Sequence, residues 1–290
     1  MAISGVGMSA CCLSGKLAQG TPTGREEKVG GVDTYIAEPQ GGSKSKTVVF
    51  LVDIFGWKLP NVRLLADNYA KAGFYAYIPD AHTGDSLPSA FLDTVEPPLP
   101  KRETLTVVDK AAATAQVGAT LGPWLLKHRE GVARPLIENF ISHVRSLPGT
   151  QKVGALGFCW GGRYAILAAQ APFSGVAGRG VDAAFACHPS LVAIPGDFEP
   201  VVAPLGLAVG DQDSLLSKEQ DEQIAEVFEK KAKGEQGDRM VGGIGGFEMK
   251  IYEGQVHGFA LRGDWSSARD QRAMDDAEQQ GIAWFNRFLS

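Results

Sequence analysis

A cysteine, an aspartate and a histidine occupy positions suited to nucleophilic chemistry. Cys159 lies in residues 157–162, GFCWGG, which join a strand-like segment to a helix-like one. This is the pattern of a nucleophile elbow, in which flanking glycines let a tight turn pass close to its neighbours. We expect the thiol to stand at the carboxyl end of a sheet and to face a helix N-terminus, whose partial positive charge favours the thiolate.

His257 and two aspartates follow later strand-like segments. His257 lies between Gly254 and Gly258, while Asp211 and Asp213 follow an earlier apolar run. The order nucleophile, acid, histidine is that of an α/β-hydrolase. An imidazole titrates near neutral pH and can pair with a thiolate, and a carboxylate fixes its tautomer. We favour Asp213 as the acid because it can turn back toward the histidine, which leaves Asp211 as a turn or capping residue.

Alternating strand and helix patterns must carry these side chains. Apolar runs rich in β-branched residues predict strands that are buried on both faces of a parallel sheet. The predicted strands are residues 47–52, 74–80, the segment ending at 158, 181–187, 205–210 and 247–252; the predicted helices are 59–73, 133–147, 164–169, 217–233 and 268–288. The alternation predicts an α/β-hydrolase fold, with a mostly parallel central sheet and helices on both faces.

Three segments depart from this alternation. Residues 1–24 are predicted to be a flexible N-terminal segment, and residues 25–290 a single domain. Residues 28–38 predict a hairpin of edge strands. Between residues 81 and 134 prolines interrupt the pattern, which predicts an insertion long enough to cover a site. Trp124 within it either lines a pocket or pins the insertion to the body.

Composition excludes several classes of partner. With 28 Lys and Arg against 33 Asp and Glu, a net charge of −5 predicts no surface for nucleic acid or anionic lipid. No run of about 18 apolar residues predicts a membrane span, and the first residues lack a secretory signal pattern, so we expect a cytoplasmic protein. Four cysteines are too few for a disulfide framework, and the adjacent Cys11 and Cys12 predict a surface segment.

The motifs resemble those of a known family. Residues 157–162, Asp213 and residues 257–259, HGF, are similar to the dienelactone hydrolase family over roughly residues 25–289, and the lead around Cys11 resembles its fungal branch. The resemblance implies a cysteine-nucleophile α/β-hydrolase that needs no metal or organic cofactor. It also implies an oxyanion hole formed by the backbone N–H groups of Ile54 and Trp160.

The same resemblance bears on the thiol and on the substrate. Asp53 takes the place of a family glutamate that interacts with the resting thiol. Family members that act on dienelactone hold its carboxylate with two arginines, and Arg262 lies about one position from one of them. Residues 81–85, AHTGD, supply no second arginine. The resemblance therefore implies hydrolase chemistry but does not imply dienelactone as the substrate. If the substrate carries no carboxylate, Phe55, Trp57, Trp160 and the insertion are the candidates for an apolar binding pocket.

The sequence predicts a hydrolase that acts on a small-molecule ester, lactone or thioester through Cys159, His257 and Asp213 and an acyl-enzyme. Two other classes stay open. The same nucleophile suits acyl transfer or isomerisation, and a hydrolase fold can also serve a binding protein. A Cys/His zinc site is a weaker alternative because the three residues come from separate strand ends, without the short spacings of structural zinc sites.

Overall fold

The computed structural model has a central sheet of eight strands. It describes residues 20–88, 106–171, 180–233 and 246–290 and positions 91, 104 and 173. The strands are β1 (Arg25–Val29), β2 (Val32–Ala37), β3 (Lys46–Leu51), β4 (Tyr75–Pro79), β5 (Lys152–Phe158), β6 (Ala183–Cys187), β7 (Leu205–Gly210) and β8 (Phe247–Tyr252). Their order is β1-β2-β4-β3-β5-β6-β7-β8. β2 runs opposite to the other strands, since it pairs antiparallel with both β1 and β4. All pairs among β3 to β8 are parallel, which confirms the predicted mostly parallel sheet.

Helices cover both faces of this sheet, as predicted. They are α1 (Pro60–Lys71), α2 (Val107–Lys127), α3 (Glu130–Ser146), α4 (Trp160–Ala168), α5 (Lys218–Lys233), α6 (Phe259–Arg262) and α7 (Ala268–Phe288). A Cβ at Gly154 of β5 would meet Phe285 of α7, and a Cβ at Gly157 would meet Ala165 of α4. Because the two glycines are an odd number of positions apart on one strand, α7 and α4 lie on opposite faces.

The N-terminal hairpin differs in part from its prediction. Gly30 and Gly31 form its two-residue turn with φ of +57° and +84°, which suit a tight hairpin turn. The prediction made both strands edge strands, but β2 also pairs with β4 on its other side, so β1 alone is the edge at this end of the sheet. Residues 34–37 are buried on both faces, as a strand inside a sheet requires.

The insertion contains more helix than its prolines suggest. Helix α2 includes Pro123, and α3 begins at Glu130, earlier than the predicted 133. A proline removes a helical hydrogen bond, so tertiary contacts must hold the last turn of α2. Trp124 supplies one of them, since its indole Nε1 donates a hydrogen bond to the Asp85 carbonyl at 2.6 Å.

The parallel strands bring the candidate residues to one edge. Strands β3, β5, β6 and β7 are buried along nearly their whole length, as expected for strands covered on both faces. Their carboxyl ends meet at what we call the carboxyl edge of the sheet. Of the helices that the structure describes, none combines the length and apolar character needed to cross a membrane. Cys11, Cys12 and residues 242–245 lie outside the described residues.

Candidate active site

Cys159 stands at a strained turn between β5 and α4. Its φ is +53°, a conformation that favours glycine, and its side chain is nearly buried. Glycines on either side permit the turn: a Cβ at Gly161 would meet the Leu51 carbonyl, and one at Gly162 would meet Pro189. The start of α4 therefore lies directly against the end of β3, with the thiol at the junction. This is the geometry of a nucleophile elbow.

The loop after β6 supports this turn. The Ser190 backbone N–H donates a hydrogen bond to the Cys159 carbonyl at 3.0 Å, and the Ser190 Oγ lies 3.5 Å from the Cys159 Sγ. Ser190 was not among the residues selected from the sequence. Its position just past a buried strand is the signal that could have identified it.

The structure brings Asp213, and not Asp211, to the histidine. Nδ1 of His257 lies 2.9 Å and 3.1 Å from the two carboxylate oxygens of Asp213, and both side chains are buried. The Leu215 backbone N–H donates to the same carboxylate at 2.8 Å and helps to orient it. Asp211 instead accepts a hydrogen bond from the Gly254 N–H in an exposed loop.

This pairing favours the charged form of His257. Burial lowers the pKa of His257, but the negative charge of Cys159 and the hydrogen bond to Asp213 outweigh that effect and raise the pKa to about 10. The buried Nε2 has no hydrogen bond of ordinary length to another described residue, although an interaction with the Cys159 side chain also contributes to the raised pKa. The ring is therefore held at Nδ1 and keeps Nε2 available for proton transfer.

Two backbone N–H groups next to the nucleophile are unused. Neither the Ile54 N–H nor the Trp160 N–H donates a hydrogen bond to another described residue. Trp160 begins α4, where the first N–H groups have no partner within the helix. The Ile54 carbonyl accepts from the Leu87 N–H at 2.8 Å, which ties this loop to the segment after β4. One predicted oxyanion donor follows β3 and the other begins α4, and these two elements are in contact at Gly161.

Asp53 and Arg262 form a buried ion pair. Nε of Arg262 donates to Asp53 Oδ2 at 2.9 Å, and the two side chains are 3% and 1% exposed. The guanidinium also lies 4.9 Å above the Phe55 ring. A Cβ at Gly258, where φ is +84°, would meet an Nη of Arg262, so the guanidinium packs against the backbone next to His257. The sequence analysis gave the two residues separate roles, on the thiol and on the substrate; the structure joins them to each other.

Trp57 lies away from this pair. Its ring packs under the Arg63 guanidinium at 4.9 Å and is nearly buried. Arg63 is fixed in turn by a hydrogen bond from its Nε to the Trp57 carbonyl. The described ring contacts of Trp57 are therefore with Lys58 and with Arg63 of α1, and its predicted role in substrate binding stays a prediction.

Four rings form an aromatic cluster beside the elbow: His82, Trp124, His128 and Trp160. The His82 ring lies 4.9 Å from Trp160 and 5.0 Å from Trp124 between centroids. Its Nδ1 is 3.1 Å from Ser86 Oγ, and its buried Nε2 has no partner among the described residues. Burial and the nearby His128 lower the pKa of His82 to about 3, so the ring is neutral. His82 was not among the candidate residues selected from the sequence.

His188 is a second neutral histidine at this edge. It is fully buried with φ of +38°, and its ring meets the His257 ring edge-on at 5.1 Å between centroids. Burial and the charges of His257 and Arg262 hold the pKa of His188 well below its usual value. Neither ring nitrogen has a partner among the described residues. His188 was not selected from the sequence either, although it directly follows a buried strand.

The chain is similar to known hydrolases along nearly all of its length. It is 26% identical over 281 residues to hydrolase pyvD of Aspergillus violaceofuscus, covering 97% of each chain. It is also 26% identical to dienlactone hydrolase 1 of Gibberella moniliformis, over 97% of this chain and 94% of that one. The crystal structure of a dienelactone hydrolase from Anabaena variabilis matches the fold with a TM-score of 0.55 at 18% identity, covering 92% of this chain and 98% of that one. Because the model of the dienelactone hydrolase family matches residues 32–289, this chain belongs to that family and is a hydrolase of carboxylic esters or lactones.

Proposed function

We propose that the protein cleaves its ester or lactone through a Cys159-His257-Asp213 triad and a covalent acyl-enzyme. The observation that carries this proposal is the buried contact of His257 Nδ1 with both oxygens of Asp213, at the edge where the elbow presents Cys159. The raised pKa of His257, caused by Cys159 and Asp213 against the effect of burial, supports a thiolate–imidazolium pair.

In the first half of the reaction the Cys159 thiolate attacks the carbonyl carbon. The Ile54 and Trp160 N–H groups donate hydrogen bonds to the developing oxyanion. Collapse of the tetrahedral intermediate breaks the carbon–oxygen bond, and the His257 imidazolium gives its Nε2 proton to the departing alkoxide. The products of this half are a thioester on Sγ, a neutral imidazole and an alcohol, which stays attached to the acyl group if the substrate is a lactone.

In the second half His257 acts as the base. Neutral Nε2 removes a proton from water, and the hydroxide attacks the thioester carbonyl. The carbon–sulfur bond then breaks, which releases the acid and restores the thiolate beside an imidazolium. Asp213 holds the ring in one tautomer throughout and stabilises its charged form.

Substitution of the nucleophile tests this scheme. We expect Cys159→Ala to lower kcat on aryl esters by about 10⁴-fold or more, since loss of a triad nucleophile removes the covalent route. Cys187→Ala is the matched control, because Cys187 is the other buried free cysteine described and burial raises the pKa of its thiol, which makes it a poor nucleophile. The control should keep wild-type turnover. Full activity in Cys159→Ala would overturn the scheme.

Trapping the intermediate separates hydrolysis from acyl transfer. Rapid acid quenching followed by mass spectrometry should find the acyl group on the peptide that carries Cys159. With water as the only acceptor the adduct should decay to free acid at the rate of turnover. An adduct that persists in water and decays only when an alcohol or thiol is added would instead assign acyl transfer.

A further inference from the structure

The charged side chains around the nucleophile are already paired with one another. Arg262 is bonded to Asp53 and lies 3% exposed against Phe55, and His257 is bonded to Asp213. Each pair unites opposite charges in a buried place, where an ion is stable only with its partner. A negatively charged substrate group would therefore meet a neutralised Asp53–Arg262 pair and not a free arginine.

The wall of the site beside Trp160 is formed by the aromatic cluster, in which His82 is uncharged and the nearby Asp85 carboxylate is bonded to His128 and Lys127. The His82 ring contacts both Trp160 and Trp124, which also contact each other, and its Nδ1 lies 3.1 Å from Ser86 Oγ. A Cβ at Gly56 would meet Ser86, and it would lie 3.4 Å from Nδ1 of His82, so this histidine borders the loop that carries Ile54. Because burial holds His82 neutral, it offers hydrogen bonding but no charge to a substrate.

Two exposed leucines stand next to site residues. Leu191 follows Ser190 and is 55% exposed at φ of +60°, a backbone conformation unfavourable for leucine. Leu215 is 49% exposed and donates its N–H to the Asp213 carboxylate. Single exposed leucines are ordinary, but these two flank the nucleophile and its triad acid at the same edge. They add apolar surface where a substrate would approach.

From these contacts we infer that the site, granted the ester or lactone hydrolysis proposed above, takes substrates that carry no negative charge and that present an apolar alkyl or aryl group. A carboxylate placed here would lose its water beside a thiolate and Asp53, with the nearest arginine already neutralised. An uncharged apolar group would instead contact Trp160 and the leucines.

A matched pair of esters tests the charge preference. The substrates are 4-nitrophenyl hydrogen glutarate, which carries a carboxylate, and its methyl ester, which differs only in capping that carboxylate. We expect kcat/KM of the wild-type protein to be at least about tenfold higher on the capped ester, as for a charge buried without a partner. Equal or higher kcat/KM on the carboxylated ester would overturn the inference.

A double variant tests whether Arg262 contacts the carboxylate. Asp53→Asn with Arg262→Gln removes both charges of the buried pair and leaves neither unpaired. Whatever the loss in absolute rate, the ratio of kcat/KM between the two esters should stay within about twofold of wild type. A selective loss on the carboxylated ester would show that Arg262 binds it and would overturn the inference.

The leucines are tested with matched surface substitutions. Leu191→Asn and Leu215→Asn should each raise KM for 4-nitrophenyl hexanoate by roughly fivefold and leave KM for the acetate unchanged, because only the longer acyl chain gains from apolar contact. Asparagine also suits the backbone of residue 191. Ile251→Asn is the control, since Ile251 is 51% exposed on the edge strand β8. Equal effects from all three would overturn the role of the leucines.

Binding without turnover separates this inference from the proposed function. The anilides that match the two glutarate esters are stable analogues, and calorimetry measures their affinity for the wild-type protein. Tighter binding of the capped anilide, by about tenfold or more, supports the substrate preference. If the protein binds it in this way but hydrolyses no ester, only the triad scheme is overturned. Binding of neither anilide, or tighter binding of the anionic one, would overturn the preference itself.

Discussion

Several residues with an unfavourable backbone conformation lie around the site. In the described part of the chain four non-glycine residues have positive φ: Thr83, Cys159, His188 and Leu191. Each follows the carboxyl end of a strand, namely β4, β5 or β6. Such conformations cost about 1–3 kcal/mol each and persist only where surrounding contacts enforce them. Their presence at one edge of the sheet is independent support for placing the chemistry there.

The two neighbouring aspartates allow a test of the triad acid. Asp213→Asn should lower kcat by about 10²-fold to 10⁴-fold, because an amide no longer fixes the His257 tautomer or stabilises its charge. Asp211→Asn is the natural control, since the hydrogen bond described for the Asp211 side chain is with the Gly254 N–H in an exposed loop. We expect it to stay within about twofold of wild type in a steady-state assay. The reverse order of effects would assign the role to Asp211.

Site residues differed in how far the sequence could identify them. The glycines around Cys159 and His257 are local signals, and a local signal can be found without knowing the fold. The Asp53–Arg262 pair joins positions 209 residues apart in the chain, so no spacing rule could connect them. His82 and His188 were missed because their neutrality comes from burial among side chains of other elements.

Among the elements, the join between β3, β5 and α4 sets the position of the nucleophile. A Cβ at Gly161 would overlap the Leu51 and Val52 carbonyls, and neither can retreat without breaking the end of β3. Since Ile54 follows β3 and Trp160 begins α4, one close contact determines the separation of the two proposed oxyanion donors. The packing of β3 against α4 is therefore expected to affect both the stability of the fold and the geometry of the proposed oxyanion hole.

Alanine at Gly161 tests that coupling. We expect Gly161→Ala to lower the free energy of unfolding by about 2–3 kcal/mol through overpacking and to reduce kcat more than it changes KM. Gly118→Ala is the control, because Gly118 lies in α2 with nothing within 4 Å of its added Cβ. That substitution should raise stability by about 0.5–1 kcal/mol, as alanine favours helix. Urea unfolding and steady-state kinetics measure both, and equal stability of the two variants would contradict the packing argument.

The elements themselves were largely accessible to pattern reading. The predicted strands 205–210 and 247–252 coincide with β7, which is a continuous apolar run, and with β8, in which apolar and charged residues alternate. The helices of the insertion were harder to predict, since Pro123 interrupts the helical pattern of the sequence. In the structure Trp124 and His128 hydrogen-bond to Asp85 and hold the end of α2 in place. Contacts with a distant loop override local propensity there, and no local pattern reveals them.

Over the whole molecule, buried titratable groups act in opposite directions on stability. His82 and His188 have lowered pKa values through burial and neighbouring positive charge. Asp221, in α5, has its pKa raised to about 7 by burial and by Asp213. His257 has a raised pKa and is protonated in both folded and unfolded chains at acid pH, so it adds no pH dependence there.

Between about pH 4.5 and 6.5 the two histidines and Asp221 change the free energy of unfolding in opposite directions. An unfolded chain protonates His82 and His188 as the pH falls below 6.5 while the folded chain does not, so each histidine lowers the free energy of unfolding by about 1.4 kcal/mol per pH unit. Asp221 acts oppositely, because the folded chain keeps a proton that the unfolded chain releases above 3.8. Stability should therefore fall on acidification, and Asp221 should soften that fall.

Three substitutions separate these contributions. His82→Gln and His188→Gln should each reduce the acid-side slope of the free energy of unfolding by about 1.4 kcal/mol per pH unit, whatever their effect at neutral pH, because glutamine does not titrate. Asp221→Asn should steepen the slope, since it removes the opposing group. Urea unfolding at several pH values gives the slopes, with His143→Gln, a partly exposed histidine of α3, as control. Unchanged slopes in both buried-histidine variants would mean that these rings are protonated in the folded protein, and the uncharged wall beside Trp160 would then carry a positive charge in acid.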